Sequence, residues 1–291
     1  MKIAVTGLTG FVGSHLKAFL ESLGNEVIGL GRKDFSEEAK MSLLAKLKGC
    51  DAVINLAGAP IQGRWNRRRK EAILTSRVET TRKLVDAINQ LPHFPEVFIS
   101  TSAIGYYPSD GLHTEDSAPA RESFLSHVCQ KWEGEARKVN PQVRLVILRF
   151  GLILGADGGM LPKIMKPSKR GVSIVFGDGY QPFSWIHIED LMRIMELMLY
   201  DKKLSGVFNC VAPDTLTWLD LMSEVNMHYE PFMQIKIPEW VLRIFWLEGA
   251  DMLVKGQQVV PMRLQQQNFV FLYPQLKDAV LDLVNRFNRK Q

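Results

Sequence analysis

Apolar and polar positions alternate between a strand period and a helix period along most of the chain, and the first residues set the pattern. Ile3, Ala4 and Val5 form a short unbroken apolar run, the signature of a strand covered on both faces. Gly7, Gly10 and Gly13 follow at three-residue spacing, and Phe11, Val12, Leu16, Phe19, Leu20 and Leu23 then recur at i, i+3 and i+4. That recurrence predicts an amphipathic helix. Strand, glycine turn and helix, in that order, form the context in which backbone N–H groups cradle a phosphate. Glycine permits positive φ in the turn and lets a ligand approach the main chain with no Cβ between them. The ligand this predicts is a dinucleotide.

The rhythm continues. Glu26–Gly31 reads as a second strand and the stretch near Ser36–Lys48 as a helix. Asp51–Gly58 is a buried strand ending in small residues, which leave room for an adenosine. Ile73, Leu74, Val78, Leu84, Val85 and Ile88 stripe one helix, closed by Pro92 and Pro95. Glu96–Tyr107 is a strand running out into hydroxyl residues, Arg121–Val139 a helix, and Val143–Leu148 a strand ending at Arg149-Phe150-Gly151. Such an alternation implies right-handed crossovers, hence an α/β, Rossmann-type doubly wound parallel sheet.

Beyond Gly155 the pattern loosens. A loop, Gly177–Asp190, enters an apolar helix, Leu191–Leu199, and Val207–Val211 reads as a strand. From Thr217 the chain is mostly helical, and Trp240, Val241, Ile244 and Phe245 mark a helix face expected in the core. The division expected is a dinucleotide-binding domain over 1–160, with 186–212 returning to its sheet. The segments 161–185 and 213–291 would form a smaller, mostly helical substrate region.

Composition narrows the class. With 46% hydrophobic and 23% charged residues, the chain is ordinary for a soluble globular protein. Cys50, Cys129 and Cys210 lie far apart, so neither a metal site nor a disulfide framework is expected. No apolar run approaches the roughly 20 residues that span a bilayer. The first strand starts at once, leaving no room for a leader, so a cytoplasmic location away from membranes is expected. The net charge of +5 is spread along the chain and suits an anionic cofactor rather than nucleic acid. The densest run, Arg64-Trp65-Asn66-Arg67-Arg68-Arg69-Lys70, is read as the wet side of a helix start, or in part as a contact to an anionic substrate or cofactor.

One position bears on which nicotinamide cofactor is used. An acidic residue at the end of the second strand binds a ribose 2′-hydroxyl, whereas arginine accommodates a 2′-phosphate. Here Arg32 follows the strand and no carboxylate occurs before Asp34, which favours NADP(H) over NAD(H).

The spacing G-x-x-G-x-x-G resembles the extended, sugar-nucleotide-epimerase-like form of the short-chain dehydrogenase/reductase superfamily. Phe183–Asp190 looks like the segment by which such proteins fasten the substrate region to the sheet. Ile54–Pro60, Ser76-Arg77, Ser102–Tyr107, Cys129–Glu133 and Asp157-Gly-Gly159 are similar to an atypical branch, commonly labelled epimerase-family and sometimes cell-division-inhibitor-like. Members carry an extra C-terminal domain, which Arg263-Leu264, Asn268–Phe271 and Tyr273-Pro274 resemble. The resemblance implies cofactor contacts from Gly7, Thr9, Gly10, Phe11, Val12, Gly13 and Arg32, then from Leu56, Ala57, Gly58, Arg77, Thr101 and Gly151. Tyr106 and Trp185 are expected to line the substrate pocket.

Catalysis in the superfamily uses a tyrosine with a lysine four residues on, whose ammonium lowers the phenol's pKa. That pair is missing. Cys129 and Glu133 occupy the matching places, while Ser102 matches the serine that steadies the substrate oxygen. Tyr273–Lys277 has the spacing but contains Pro274 and lies far beyond the helix concerned. Ser102, Glu133 and Cys129 are therefore the catalytic candidates, Glu133 as a proton donor if burial raises its pKa. His187 is read as a structural hydrogen-bonder at a helix start. The function expected is an NADP-dependent oxidoreductase acting on a small carbonyl or alcohol through a non-standard site. The alternatives are a nucleotide-sugar epimerase or dehydratase and a non-catalytic NADP(H)-binding regulator. A homodimer is one assembly open to it.

Overall fold

A computed structural model describes residues 1–289. Six strands form one parallel sheet: β1 (Lys2–Thr6), β2 (Glu26–Leu30), β3 (Ala52–Asn55), β4 (Val97–Ala103), β5 (Arg144–Phe150) and β6 (Gly206–Cys210). Their spatial order is β2-β1-β3-β4-β5-β6, so the order reverses between β1 and β3. In such sheets ligands bind outside the carboxyl ends of the strands at that reversal. The turn between β1 and α1 (Phe11–Ser22) opens there.

The inner strands β1, β3, β4 and β5 are covered on both faces, while the edge strand β2 is partly exposed, and alternate residues feed two cores. Ile3 and Val5, with Ile54, Ile99 and Leu148, pack against α1 and against α6 (Ile188–Tyr200). Ala4, Val53 and Phe98 point the other way, onto α2 (Lys40–Leu47) and α3 (Arg67–Asn89). The helix α4 (Phe124–Ala136) lies on this second face, with Ala136 in the same core.

A separate core builds a second lobe. Leu161 and Met165 from α5 (Leu161–Lys169) meet Leu221 and Val225 from α7 (Trp218–Tyr229), together with Leu283 and Phe287 of the last helix, Leu276–Arg289. The lobes are strapped together at α6. The Asp190 carboxylate, fully buried, accepts the backbone N–H groups of Leu272 and Tyr273 at 2.7 and 2.9 Å. His187 caps α6 by accepting the Glu189 N–H at 3.2 Å, and the Tyr273 ring stacks on it at 3.9 Å. Tyr273 is thus structural, and its spacing to Lys277 carries no chemistry.

Two expectations are corrected. The face Trp240, Ile244, Phe245 is not core: these side chains are 66%, 60% and 66% exposed. Their helix, α8 (Glu239–Trp246), is only eight residues long and docks through buried Leu242 and half-buried Trp246. The strand expected to stop at Leu148 continues through Arg149 and Phe150, because Arg149 finds a buried carboxylate there. Among the described residues no helix is long and apolar enough to cross a membrane.

Candidate functional site

The glycine turn is shaped for close approach. Gly7 has φ +73°, and a Cβ there would stand 2.9 Å from the Leu56 carbonyl oxygen. A Cβ on Gly13 would lie 2.2 Å from the Gly7 oxygen, so the helix can start against the turn only with glycine there. Gly10 is the N-cap and no side chain caps the helix, leaving first-turn N–H groups for a ligand. Thr9 and Gly10 are exposed at this mouth. Phe11 turns aside to pack beneath the loop at Gly155 and Gly158, where a Cβ would come within 2.4 and 2.2 Å of its ring. His15 of α1 holds the same loop through Asp157 at 2.9 Å.

At the end of β2, Arg32 and Lys33 are exposed. Asp34, the first carboxylate after the strand, is engaged elsewhere: it accepts the Gly31 N–H at 2.8 Å and pairs with Lys46 at 2.7 Å. Burial would raise its pKa, but Lys46 and the Gly31 N–H bring the net value below the ordinary one. These residues fit a phosphorylated ribose better than a free 2′-hydroxyl.

The floor beyond the turn is set by a polar row. Thr6 donates to Asn55 at 2.7 Å and accepts the N–H groups of Leu56 and Ala57, fixing the main chain that leads to Gly58. Thr101 donates to the Asn55 carbonyl at 2.9 Å. Arg77 of α3 lies flat on Gly58, where a Cβ would come within 2.9 Å of the guanidinium. Its Nη1 donates to the Ala59 and Ile73 carbonyls, both at 3.1 Å. Among the described residues no carboxylate forms an ion pair with it, and burial lowers its pKa.

A second row crosses the sheet. The register sets Ser102 of β4 beside Arg149 of β5, and Arg149 beside Asn209 of β6. The register places all three on one face of the sheet, where α4 supplies Glu133 to Ser102 and Arg149. Ser102 donates to Glu133 Oε1 at 2.8 Å. Arg149 holds both carboxylate oxygens, Nε to Oε1 at 2.8 Å and Nη2 to Oε2 at 2.9 Å. Arg137 adds a further bond to Oε2 at 2.9 Å. On its other side Arg149 donates to the Tyr107 hydroxyl at 2.7 Å, which in turn donates to Asn209 at 2.8 Å.

The titration of Glu133 follows from this. Burial alone would raise it, but Arg149, Ser102 and Arg137 bring the net value below the ordinary carboxylate range. Glu133 therefore stays ionised, and the proton-donor role expected of it gives way to an anchoring one. Burial and nearby Glu133 push the Cys129 thiol up to about 11, so it keeps its proton at neutral pH. Sγ lies 3.6 Å from the Ala103 carbonyl, to which it donates.

A cavity of about 660 Å³ joins these parts. It starts at Val12, passes Leu56, Ala57, Gly58 and Arg77, reaches Thr101, Ser102, Cys129 and Gly151, and opens between the two lobes. Both expected substrate-pocket residues are corrected. Trp185 is fully buried in the second core, whereas Pro182, Phe183 and Ser184 just before it line the cavity. Tyr106 is off the wall too: its ring lies 3.5 Å from the Arg149 guanidinium, and Tyr107 lines the cavity instead. Arg149 and Asn209 were missed by sequence reasoning; the signal was a charged and an amide residue inside otherwise apolar strands.

The family model described as the NAD dependent epimerase/dehydratase family matches residues 3–210. The chain belongs to that family. A second model, a domain of unknown function called DUF1731, matches residues 237–283. Among family members, epimerase family protein SDR39U1 of Mus musculus is 35% identical, covering 98% of this chain and 100% of that protein. A chloroplastic SDR39U1 homolog of Arabidopsis thaliana is 34% identical over 96% of this chain and 86% of its own. The crystal structure of human SDR39U1 with NADPH superposes with a TM-score of 0.90 at 30% identity, covering 98% and 99% of the two chains. A more distant structure, MoeE5 in complex with UDP-glucose and NAD, shares the fold at TM-score 0.81 and 19% identity, covering 100% of this chain and 99% of that one.

Proposed function

We propose that the chain is an NADP(H)-dependent oxidoreductase acting on a small carbonyl or alcohol. One observation carries the reading: a single cavity runs from the helix N-terminus that suits a diphosphate to a hydroxyl and a protonated thiol, Ser102 and Cys129. NADP(H) is favoured by exposed Arg32 and Lys33, by the engagement of Asp34, and by the NADPH held by a relative 30% identical. When bound, that cofactor supplies or takes up hydride.

The chain's own residues do the rest. The Gly7–Gly13 turn holds the diphosphate and Arg32 the 2′-phosphate. Arg77, lying on Gly58, offers a cation on the nicotinamide side, where the superfamily's lysine is absent. Ser102, with its hydrogen committed to Glu133, presents lone pairs to the reacting oxygen's hydroxyl form. Cys129 holds a proton at Sγ, in the place of the missing phenol, and exchanges it with the substrate oxygen. Glu133 and Arg149 are positioning residues: they fix Ser102 and touch neither substrate nor cofactor.

The test is consumption of NADPH against a panel of carbonyl compounds. Ser102→Ala and Cys129→Ala should each lower kcat by about 10²-fold, with NADPH affinity unchanged. Unaltered turnover in both variants would overturn the assignment. The absent tyrosine–lysine pair favours a second reading, a cofactor-binding regulator; it predicts NADPH binding with no turnover on any carbonyl and a co-purifying protein.

A further inference from the structure

The half of the cavity beyond Ser102 has a distinct chemistry. Trp65, Phe124, Ile73, Val128, Leu125 and Met252 form its walls and a small core of their own. Trp65 is 4% exposed, stands edge-on to Phe124 at 5.3 Å, and donates its indole N–H to the Ile61 carbonyl at 2.7 Å. The ring's polar atom is therefore satisfied, and what it shows the cavity is hydrocarbon. The chamber is closed from the second lobe: the backbone N–H of Trp65 donates to the Trp246 carbonyl at 3.3 Å, and Gly249 packs against the indole.

Its charges point the same way. Among the described residues, Arg77 and Lys255 are the basic side chains that line the cavity, against the acids Asp110, Glu122, Glu248 and Asp251. Arg77 sits at the cofactor end, on Gly58. Lys255 is paired with Asp251 at 3.2 Å, Arg243 with the same carboxylate at 2.9 Å, and Lys70 with Glu248. None of Arg64, Arg67 and Arg68 lines the wall; the residue of that basic run that enters is Trp65. A diphosphate entering this chamber would thus meet carboxylates and hydrocarbon with no free cation, at the cost of burying charge without a partner.

From these walls we infer the substrate class: an uncharged, largely apolar carbonyl compound or its alcohol, and not a nucleotide sugar. This rests on the oxidoreductase reading for its chemistry. In the reducing direction a hydride, with its electron pair, passes from NADPH to the carbonyl carbon. The C=O π bond breaks, and the oxygen takes the proton held at Cys129 Sγ, which solvent later restores. NADPH leaves as NADP+.

The experiment is calorimetric titration of full-length protein saturated with NADP+, using 4-phenylbutan-2-one, benzaldehyde, 4-carboxybenzaldehyde and UDP-glucose. The uncharged compounds should bind, the carboxylate at least about tenfold more weakly than benzaldehyde, and UDP-glucose not at all at millimolar concentration. Met252→Lys, on the chamber wall, should reverse the preference between the two benzaldehydes while NADPH affinity holds. Trp65→Phe should weaken the aryl ketone and fold normally. Tighter binding of UDP-glucose or of the carboxylate to the unmodified protein, or no binding of any uncharged carbonyl, overturns the inference. Binding of the uncharged compounds without turnover sustains the chamber assignment and defeats the oxidoreductase reading alone.

Discussion

Arg149 grips Glu133 with two parallel hydrogen bonds, Nε to Oε1 at 2.8 Å and Nη2 to Oε2 at 2.9 Å, and the pair is shut off from water. One residue comes from the sheet and the other from α4, sixteen positions earlier in the chain, so the bond fastens the helix to the strand that precedes the second lobe. It also fixes Ser102, which shares Oε1.

Removing one partner of such a pair leaves a buried, uncompensated charge. Glu133→Gln should therefore cost about 3–5 kcal/mol of stability at pH 7, measured by urea denaturation. Replacing both partners, Glu133→Gln with Arg149→Met, should cost less than the sum of the single changes. Additive losses would show that the two side chains act independently.

The same pair sets an acid limit. The Glu133 pKa is lower in the fold than its ordinary 4.5. Its contribution is thus fully present above 4.5 and is lost as pH falls through the folded-state value. The stability gap between the unmodified protein and Glu133→Gln should be constant from pH 7 to 5 and shrink only below about 4.5. Chemical denaturation across that range measures it; a gap that widened on acidification would contradict the assigned charge state.

Arg32 should select between cofactors. A charge-assisted bond to a phosphate is worth about 1.5–3 kcal/mol, so Arg32→Ala should weaken NADPH by roughly 10- to 150-fold and leave NADH nearly unaffected. Lys46→Ala should free Asp34 and bring the NADH affinity up. Titration calorimetry of both nucleotides checks the pair.

Gly13→Ala meets main chain rather than a movable side chain, since its Cβ would come within 2.2 Å of the Gly7 oxygen. The turn must open to accept it. NADPH affinity should drop by more than about tenfold, with a smaller loss at Gly10→Ala, whose Cβ would stand 3.3 Å from the same oxygen.

Cys129 is a protonated thiol at neutral pH, pushed to about 11. Alkylation by iodoacetamide at pH 7.5 should be slow in the folded protein and rise sharply in denaturant, followed by mass spectrometry of the Cys129 peptide. Rapid modification of native protein at that pH would mean the thiol is ionised and the proton it is assigned is absent.

The sequence by itself determined everything that depends on near neighbours in the chain. The buried first strand, the glycine turn and the apolar stripe of α1 are local periodicities, and Arg32 stands next to the strand that positions it. The family likewise followed from strings of adjacent residues such as Ser102–Tyr107. Only the tertiary structure decided which partners meet across the sheet. The register of β4 on β5 puts Ser102 beside Arg149, and that arginine converts Glu133 from a candidate acid into a fixed anion. Trp185 goes into the second core while Phe183 and Ser184 just before it line the cavity, a choice that hydropathy cannot make because all three are buried. For α8 the reverse holds: its apolar stripe is plain in the sequence, but the second lobe seats Leu242 and part of Trp246, and Trp240 and Phe245 stay in water. Periodicity records what a segment could bury; packing against distant segments decides what it does bury and which charges it must answer.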